Sequence, residues 1–332
     1  MALNTTQYRT LRSTLQAGHI LPNATDRVFP EKFQYFENIK YHHNPKYDLD
    51  LDYESLDIPT KEGATLNAWY VPVQNKTCDG NHNIIILVHG AFVDRREMLK
   101  HCLFLNQIGY HTILFDARDH GISGALNRGC SLGVREHEDV LSVVEYLIHH
   151  KRGEIGRIGV LGSSNGGSSS IMAAALSEKI EVVIAENPFS SRIQQLRYSF
   201  HSAIRKGVWG REKLSELSTF GKVIGSISSS VPDWFLDLAA ELTNYRMGGY
   251  NIFHAIDVVE RINPRPVLIM HGDKDVHVLV DNSQELYKRA NNKNAELWIV
   301  EGGVHALLFN HFELEYKKRV KNFLERNFGV CE

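Results

Sequence analysis

The hydrophobic positions of the chain fall into two alternating patterns. Short, continuous and mostly β-branched runs are typical of strands buried on both faces of a sheet, and longer segments carry apolar residues at spacings of three and four, as helices do. The apolar runs are NIIILVHG (83–90), TILFDA (112–117), RIGVLG (157–162), EVVIAE (181–186), RPVLIMHG (265–272) and ELWIVEG (296–302). The helical segments are 96–109, 134–150 and 312–328. This alternation predicts an α/β fold with a mostly parallel central sheet flanked by helices.

The remaining segments define the outline of the domain. YESLDIPT and ATLNAWYVPV flank a KEG turn, which predicts a β-hairpin and brings the sheet to about eight strands. Residues 1–45 show no strong period and are interpreted as an N-terminal extension packed on the main domain, residues 46–332. Residues 187–264 lack a convincing strand. Because an insertion after the carboxyl end of a strand lies over the ligand site of an α/β sheet, we expect a helical cap at about 190–262.

Composition excludes some functional classes. The 37 Lys and Arg residues balance 39 Asp and Glu residues, so the chain lacks the excess of positive charge that is typical of nucleic-acid-binding proteins. The N-terminus lacks the pattern of a signal peptide and no apolar run approaches the roughly 18 residues of a membrane span, so we expect a cytoplasmic location. The four cysteines form no CxxC motif, which predicts neither a metal site nor a dense disulfide framework. The sequence does not exclude a single disulfide bond. No cofactor is expected.

One serine of the glycine-rich stretch GVLGSSNGGSSS (159–170) has the spacing of a nucleophile. The stretch lies between a predicted strand and a predicted helix, and Gly162, Ser164 and Gly166 form a G-x-S-x-G motif. A nucleophile on such a sharp turn requires small residues two positions before and two after it, because the backbone passes too close there for a Cβ. Ser163 fails this requirement, since Leu161 lies two positions before it. The spacing therefore selects Ser164.

The partners that a serine nucleophile needs follow later strands in the order Ser, Asp, His. HGDKDVHV supplies Asp273 and Asp275 after one strand, and EGGVHALL supplies His305 after the last. In this arrangement the serine attacks, the histidine takes and returns its proton, and the aspartate orients the imidazole and stabilises its charged form.

An oxyanion hole is expected from two backbone N–H groups. One belongs to Asn165, directly after the candidate nucleophile, and the other to Ala91 in the loop LVHGAFVDR after an earlier strand. His89 in that loop is interpreted as a structural residue that holds the loop.

The elements LVHGAF, FDARDHGIS, GSSNGG, HGDKDVHV and GGVH resemble the α/β-hydrolase superfamily, in particular its single-domain serine esterases, lipases and prolyl-oligopeptidase-like catalytic domains. The resemblance runs from about residue 50 to the end of the chain. It implies Asp275 rather than Asp273 as the acid, because the pattern H-G-x-x-D-x-x-V places the acid at its fifth position. Glu186, at the end of an earlier strand, is an alternative acid. The resemblance also implies a structural loop around His120, with Asp119 where glycine is usual.

The resemblance implies a serine hydrolase that cleaves small-molecule carboxylic esters through an acyl-enzyme intermediate, with Ser164, Asp275 and His305 as the triad. A serine peptidase or acyl-peptide hydrolase remains an alternative, although no β-propeller repeats precede the domain. Acyl-thioesterase or acyltransferase chemistry uses the same residues. A non-catalytic binding protein that kept the fold is disfavoured by the complete set of three side chains.

The start of the predicted cap carries an excess of positive charge interleaved with aromatic residues. Its basic residues are Arg192, Arg197, Arg205, Lys206, Arg211 and Lys213, and its aromatic residues are Phe189, Tyr198, Phe200 and Trp209. One hypothesis is a rim that contacts an anionic lipid surface or a phosphorylated acyl donor. The simpler interpretation is a solvated helix face whose aromatic residues pack beneath it.

Overall fold

A computed structural model describes residues 44–74, 80–124, 129–206, 234 and 253–331 of the chain. The strands of this part are β1 (Glu54–Pro59), β2 (Thr65–Val71), β3 (His82–Val88), β4 (His111–Phe115), β5 (Ile155–Ser163), β6 (Ile180–Glu186), β7 (Val267–Gly272) and β8 (Ala295–Val300). They form one sheet in the order β1-β2-β4-β3-β5-β6-β7-β8. The prediction of a sheet of about eight strands is confirmed.

The sheet is antiparallel at one end and parallel elsewhere. β1 pairs with β2 and β2 with β4 in antiparallel register, whereas all pairs from β4–β3 to β7–β8 are parallel. The predicted KEG hairpin is thus the β1–β2 pair. Parallel strands place their carboxyl ends at one edge of the sheet, so the segments after β3, β5, β6, β7 and β8 meet there.

Helices connect the parallel strands. The α-helices of the described residues are α1 (Pro45–Leu49), α2 (Leu99–Gln107), α3 (Glu136–His150), α4 (Asn165–Leu176), α5 (Arg192–Lys206), α6 (Ala255–Val258), α7 (Asp281–Ala290), α8 (Leu308–His311) and α9 (Glu313–Asn327). Two 3-10 helices, Arg95–Met98 and Val259–Ile262, precede α2 and follow α6. The helix predicted at 96–109 is therefore divided into a 3-10 turn and a shorter α-helix.

Alternate residues of the central strands enter two hydrophobic cores. Ile84 and Ile86 of β3 pack on one side of the sheet with residues of α3 and α4, and Ile85 and Leu87 pack on the other side with residues of α2 and α9. All seven residues of β3 are buried. This two-sided burial explains why the strands read as continuous apolar runs and not as alternating ones.

Several expectations concern segments outside this part of the chain. Nearly all of the N-terminal extension lies outside the described residues, as does most of the predicted cap, of which α5, α6 and the second 3-10 helix are described. Among the cysteines, Cys102 and Cys130 are free and buried, whereas Cys331 is disulfide-bonded. No helix in the described ranges is long and apolar enough to cross a membrane.

Candidate active site

Ser164 lies on the sharp turn that joins β5 to α4. Its backbone has φ 54° and ψ −114°, a conformation that costs energy for a residue with a side chain. A Cβ added at Gly162 would lie 2.2 Å from the carbonyl oxygen of Gly166, and one added at Gly166 would lie 2.1 Å from the carbonyl oxygen of Val88. Both glycines are therefore sterically required, as the spacing argument predicts.

The other serines of this stretch have structural contacts. Within α4, the hydroxyls of Ser169 and Ser170 donate to backbone carbonyls four residues earlier, at 2.8 and 2.7 Å. The Ser168 hydroxyl exchanges hydrogen bonds of 2.9 Å with the backbone N–H and carbonyl of Phe189 after β6. Such bonds satisfy buried hydroxyls inside a helix, so the serine-rich composition does not indicate a linker.

The three predicted side chains form one chain of hydrogen bonds. His305 Nε2 lies 2.9 Å from Ser164 Oγ, and His305 Nδ1 lies 2.6 Å from Asp275 Oδ2. With Nδ1–H donating to the carboxylate, Nε2 is left to accept the serine proton. Asp275 is buried and His305 is about one-fifth exposed, with 19% of its side chain accessible. The arrangement has the geometry of a nucleophile, a base and an orienting acid.

Asp275 and His305 shift each other's pKa values in the direction this chemistry needs. Burial by itself lowers the pKa of His305, but the Asp275 carboxylate outweighs burial and raises that pKa above its ordinary value. Burial by itself raises the pKa of Asp275, but His305 and further hydrogen bonds hold it far below its usual range. The acid is therefore ionised at neutral pH and favours the protonated form of the imidazole.

Further donors fix the Asp275 carboxylate. Its Oδ1 accepts the backbone N–H groups of His277 and Val278 at 2.8 and 2.9 Å, while its Oδ2 also accepts Asn187 Nδ2–H at 2.7 Å. Asn187 follows β6 directly and has a left-handed φ of 48°. Sequence reasoning missed this residue. Its position at the carboxyl end of a buried strand is the signal that could have found it.

The two predicted oxyanion donors are related to Ser164 in different ways. Asn165 follows it in the chain, and Ala91 lies in a loop that packs against it. Asn165 is the first residue of α4, where a helix leaves its backbone N–H groups without intrahelical partners. Ala91 follows Gly90, and a Cβ added at Gly90 would lie 3.6 Å from Ser164 Cβ. The loop after β3 therefore passes directly against Ser164.

His89 holds that loop in place. Its Nδ1–H donates to the carbonyl oxygen of Gly90 at 2.7 Å, and its Nε2 accepts the backbone N–H of Ala117 at 3.0 Å. Burial lowers the pKa of His89 to about 4, so the ring is neutral at pH 7 and can accept at Nε2. These contacts agree with the structural role expected for His89.

The alternative acids have other partners. Asp273 Oδ1 accepts the backbone N–H of Gly302 at 2.7 Å and joins the loops after β7 and β8. Glu186 accepts the Tyr316 hydroxyl at 3.0 Å and the Leu308 N–H at 3.3 Å. The hydrogen bond to His305 Nδ1 comes from neither of them but from Asp275.

The loop around His120 is built on the carboxylate of Asp116. Asp116 accepts the backbone N–H groups of Arg95 and Ile122 at 2.8 and 2.9 Å, and His120 Nδ1 bonds to the carbonyl of Arg118 at 2.9 Å. Asp119, at the position where the resemblance implies glycine, has a left-handed φ of 59°, a region that favours glycine. The turn thus keeps a left-handed residue at this position although the glycine is absent.

An apolar cluster adjoins the nucleophile. It consists of the buried residues Cys130, Leu132, Phe189 and Val278, with Ala91, Phe92 and Leu196 packed against them. Cys130 Sγ lies 3.8 Å from the side-chain nitrogen Nδ2 of Asn165, and the backbone N–H of Val278 bonds to Asp275. The cluster therefore contacts both the oxyanion side and the acid side of the site.

The basic rim expected at the start of the cap needs a correction. Arg192 is only 1% exposed, and Phe189 is buried in the apolar cluster, so neither belongs to an exposed rim. The Tyr198 hydroxyl donates to the carbonyl of Val276 at 3.0 Å, beside the acid loop. The side chains of Phe200, Arg205 and Lys206, and all of Trp209, Arg211 and Lys213, lie outside the described residues. The lipid-surface hypothesis stays a prediction for these.

The described ranges contain no cluster of three or more His, Cys, Asp or Glu side chains arranged to hold a metal ion. The site is instead a set of strained turns around one serine. Ser164, Asn187 and Ala306, which follows His305, all have left-handed φ values. Such strain is typical of functional sites, where the surrounding structure holds the backbone in place.

The strand order, the sharp turn after β5 and a site at the carboxyl ends of the parallel strands define an α/β hydrolase. A sequence profile of the X-Pro dipeptidyl-peptidase (S15 family) matches residues 19–215, more than half of the chain. The chain belongs to this family of hydrolases.

Other proteins are similar to the chain in sequence or in fold. The uncharacterized protein YqkD of Bacillus subtilis is 26% identical over 286 residues, which cover 84% of this chain and 83% of YqkD. The Pyrococcus furiosus esterase Pf2001 superposes with a TM-score of 0.63 at 24% identity, over 87% of this chain and 97% of the esterase. The Pyrococcus horikoshii acylaminoacyl peptidase superposes with a TM-score of 0.57 at 18% identity, over 90% of this chain but 44% of the peptidase.

Proposed function

We propose that this hydrolase cleaves carboxylic esters with Ser164 as nucleophile, through an acyl-enzyme intermediate. The observation that carries the proposal is the pair of hydrogen bonds that join Ser164 to His305 and His305 to Asp275, at 2.9 and 2.6 Å. A serine hydroxyl is a weak nucleophile unless an adjacent base takes its proton, and a base of this kind needs a third group to orient it. All three groups are in contact in the structure.

In the first half of the proposed reaction, Ser164 Oγ attacks the ester carbonyl carbon while His305 Nε2 takes its proton. The carbonyl oxygen becomes negative and accepts hydrogen bonds from the N–H groups of Ala91 and Asn165. Collapse of this intermediate breaks the bond to the leaving alcohol, whose oxygen takes the proton from His305. Ser164 is left acylated.

In the second half, a water molecule attacks the acyl carbon and gives its proton to His305 Nε2. The same two N–H groups hold the second oxyanion. Collapse releases the carboxylic acid, and His305 returns the proton to Ser164 Oγ. Asp275 stays ionised throughout, because its low pKa leaves the proton on the imidazole.

The apolar cluster supports an acyl group without charge. An ammonium or carboxylate group would lose its hydration among Cys130, Leu132 and Phe189, whereas an aliphatic or aromatic acyl chain would gain about 25 cal/mol per Å² of apolar surface removed from water. We therefore place an uncharged, apolar acyl group on this side of Ser164.

The family match supports a second candidate function, release of N-terminal X-Pro dipeptides. Such a substrate carries a free α-ammonium group, which needs a carboxylate in the pocket. Of the described buried acids near the apolar cluster, Glu136 accepts the backbone N–H groups of Ser131 and Gly133 and is not free to act as that partner. Ester hydrolysis is the first choice because the described cluster at the site is apolar, and peptide hydrolysis is the second.

The test compares wild type with Ser164→Ala on p-nitrophenyl esters from acetate to palmitate and on Ala-Pro-p-nitroanilide. We expect ester hydrolysis by the wild type and a fall in kcat of about 10⁴-fold or more in the variant, because the remaining groups cannot replace the nucleophile. The preferred chain length reports the depth of the apolar side of the site.

Two controls separate the alternatives. Ser142→Ala changes a half-buried serine of α3 whose hydroxyl donates to the Glu138 carbonyl at 2.8 Å, and it should keep the activity of the wild type. Hydrolysis of the anilide with none of the esters would favour the peptidase. Ester hydrolysis that survives in Ser164→Ala would refute the assignment of the nucleophile.

A further inference from the structure

Glu97 is a buried carboxylate outside the hydrogen-bonded chain of Ser164, His305 and Asp275. It lies in the 3-10 helix Arg95–Met98 and is 5% exposed. Burial raises its pKa, against the opposing effects of the Lys100 ammonium and of the hydrogen bond from the Gly90 N–H. A buried acid is costly unless its oxygens are satisfied, so its partners indicate what it does.

Both oxygens of Glu97 face residues next to the reacting groups. Oε2 accepts the backbone N–H of Gly90 at 2.6 Å, and Oε1 lies 3.5 Å from the hydroxyl of Ser163. Gly90 directly precedes Ala91, and Ser163 directly precedes Ser164. One carboxylate thus connects the loop that carries the first oxyanion donor to the turn that carries the nucleophile and the second donor.

Gly90 needs such an anchor. A glycine rotates more freely about φ and ψ than any other residue, and the Gly90 carbonyl belongs to the same peptide group as the Ala91 N–H. The His89 ring donates a hydrogen bond to that carbonyl at 2.7 Å, and Glu97 accepts one from the Gly90 N–H at 2.6 Å. An added Cβ at Gly90 would lie in van der Waals contact with Glu97 Oε2, at 3.4 Å, so the carboxylate lies directly against this residue.

We propose that Glu97 is a positioning residue of the oxyanion hole, whose carboxylate fixes Gly90 so that the Ala91 N–H points at the developing negative charge. The inference rests on the proposed function, because it presupposes acyl transfer at Ser164. Glu97 does not touch the substrate in this scheme. It acts through Gly90, and its loss should reduce the stabilisation of the transition state more than the binding of the substrate.

Two conservative variants separate the hydrogen bond from the charge. Glu97→Gln keeps an oxygen at the same reach, with its amide NH₂ able to donate to Ser163 Oγ, but removes the negative charge. Glu97→Asp keeps the charge but retracts the acceptor by one methylene, beyond hydrogen-bonding reach of the Gly90 N–H. Glu97→Ala removes both.

The experiment measures kcat and KM for the best p-nitrophenyl ester, on the plateau of each pH profile so that a change in the pKa of His305 does not enter. We expect Glu97→Ala and Glu97→Asp to lower kcat by about 10- to 100-fold, less than the loss of a whole oxyanion donor, with little change in KM. Glu97→Gln should recover most of the wild-type kcat. The rate of Ser164 labelling by a fluorophosphonate should follow the same order.

Asn83→Ala is the control for a general loss of stability. Asn83 is buried at the start of β3, the strand that leads to Gly90. It donates to the carbonyls of Phe328 and Gly329, both at 3.1 Å. This variant should lower the melting temperature and leave kcat unchanged. If Glu97→Ala does not fold, the Asp and Gln variants still decide the question.

Three outcomes would overturn the inference: wild-type kcat in Glu97→Asp, equal losses in Glu97→Gln and Glu97→Asp, or a loss that appears in KM alone. Failure of the proposed function looks different. In that case Ser164→Ala keeps the ester activity, or the wild type has none. Glu97 can therefore be rejected while Ser164 stands.

Discussion

Asp275 shows how single residues set the chemistry of this site. Its two oxygens accept from His305, Asn187 and two backbone N–H groups, so its ionised form is stabilised from all of these directions. Asp273, two positions earlier, closes a turn through the Gly302 N–H. Two aspartates of one short motif therefore have different hydrogen-bond partners, and their spacing along the chain does not separate them. Their backbone environment does.

The first prediction concerns pH. Ester hydrolysis needs neutral His305, whose pKa lies above its ordinary value of 6.5 because the Asp275 carboxylate outweighs burial. A profile of kcat/KM should therefore lose activity as the pH falls, with a midpoint above 6.5. Asp275→Asn should lower that midpoint, because burial then dominates, and should reduce kcat by about 10³- to 10⁴-fold.

Asp273→Asn is the matched control, because an asparagine oxygen can still accept the Gly302 N–H. Its profile should coincide with that of the wild type. A midpoint below 6.5 in the wild type, or equal midpoints in the wild type and Asp275→Asn, would contradict the assigned pair.

At the level of elements, the turn between β5 and α4 depends on the end of β3. Gly166 lies so close to the Val88 and His89 carbonyls that an added Cβ would approach them to 2.1 and 2.6 Å. These carbonyls are backbone atoms and cannot rotate away as a side chain could. The same residues lead into the oxyanion loop, so the turn and the loop hold each other in position.

We predict that Gly166→Ala destabilises the protein by more than about 2 kcal/mol and abolishes ester hydrolysis, because β3 and α4 must separate to admit the methyl group. Gly153→Ala is the control, since a Cβ there has nothing within 4 Å. Its effect should stay within about 0.5 kcal/mol. Chemical denaturation gives both free energies, and equal stabilities of the two variants would contradict the packing argument.

The sequence predicts the elements better than it predicts their contacts. Continuous apolar runs identify buried strands because β3 is buried on both faces. G-x-S-x-G identifies Ser164 because a Cβ added at Gly162 or Gly166 would lie about 2 Å from backbone atoms. Glu97 carries no such signal, and Asn187 carries only its position directly after β6. Their partners are seven or more residues away in the chain, and Asn187 meets Asp275 only after β6 and β7 have paired.

Across the whole molecule, Glu186 joins the nucleophile to the C-terminal helices. Its backbone carbonyl accepts the Ser164 N–H at 2.7 Å, and its buried carboxylate accepts the Tyr316 hydroxyl of α9 and the Leu308 N–H of α8. His101 of α2 lies 3.7 Å from the same carboxylate, but burial lowers the pKa of His101 to about 4, so this ring is neutral at pH 7. The resemblance made Glu186 an alternative acid, whereas its contacts are those of a structural anchor.

The last prediction tests that anchor. Tyr316→Phe removes the hydroxyl donor from Glu186 Oε2 without opening a cavity, and it leaves a buried charged acceptor less satisfied. We expect a loss of about 1–3 kcal/mol in the free energy of unfolding. The kcat should change little, since Asp275 and the Leu308 N–H still hold the His305 loop. Tyr287→Phe, at a tyrosine that is 40% exposed on α7, is the control and should be neutral. Equal melting temperatures for the two variants would mean that α9 is held by its apolar contacts alone.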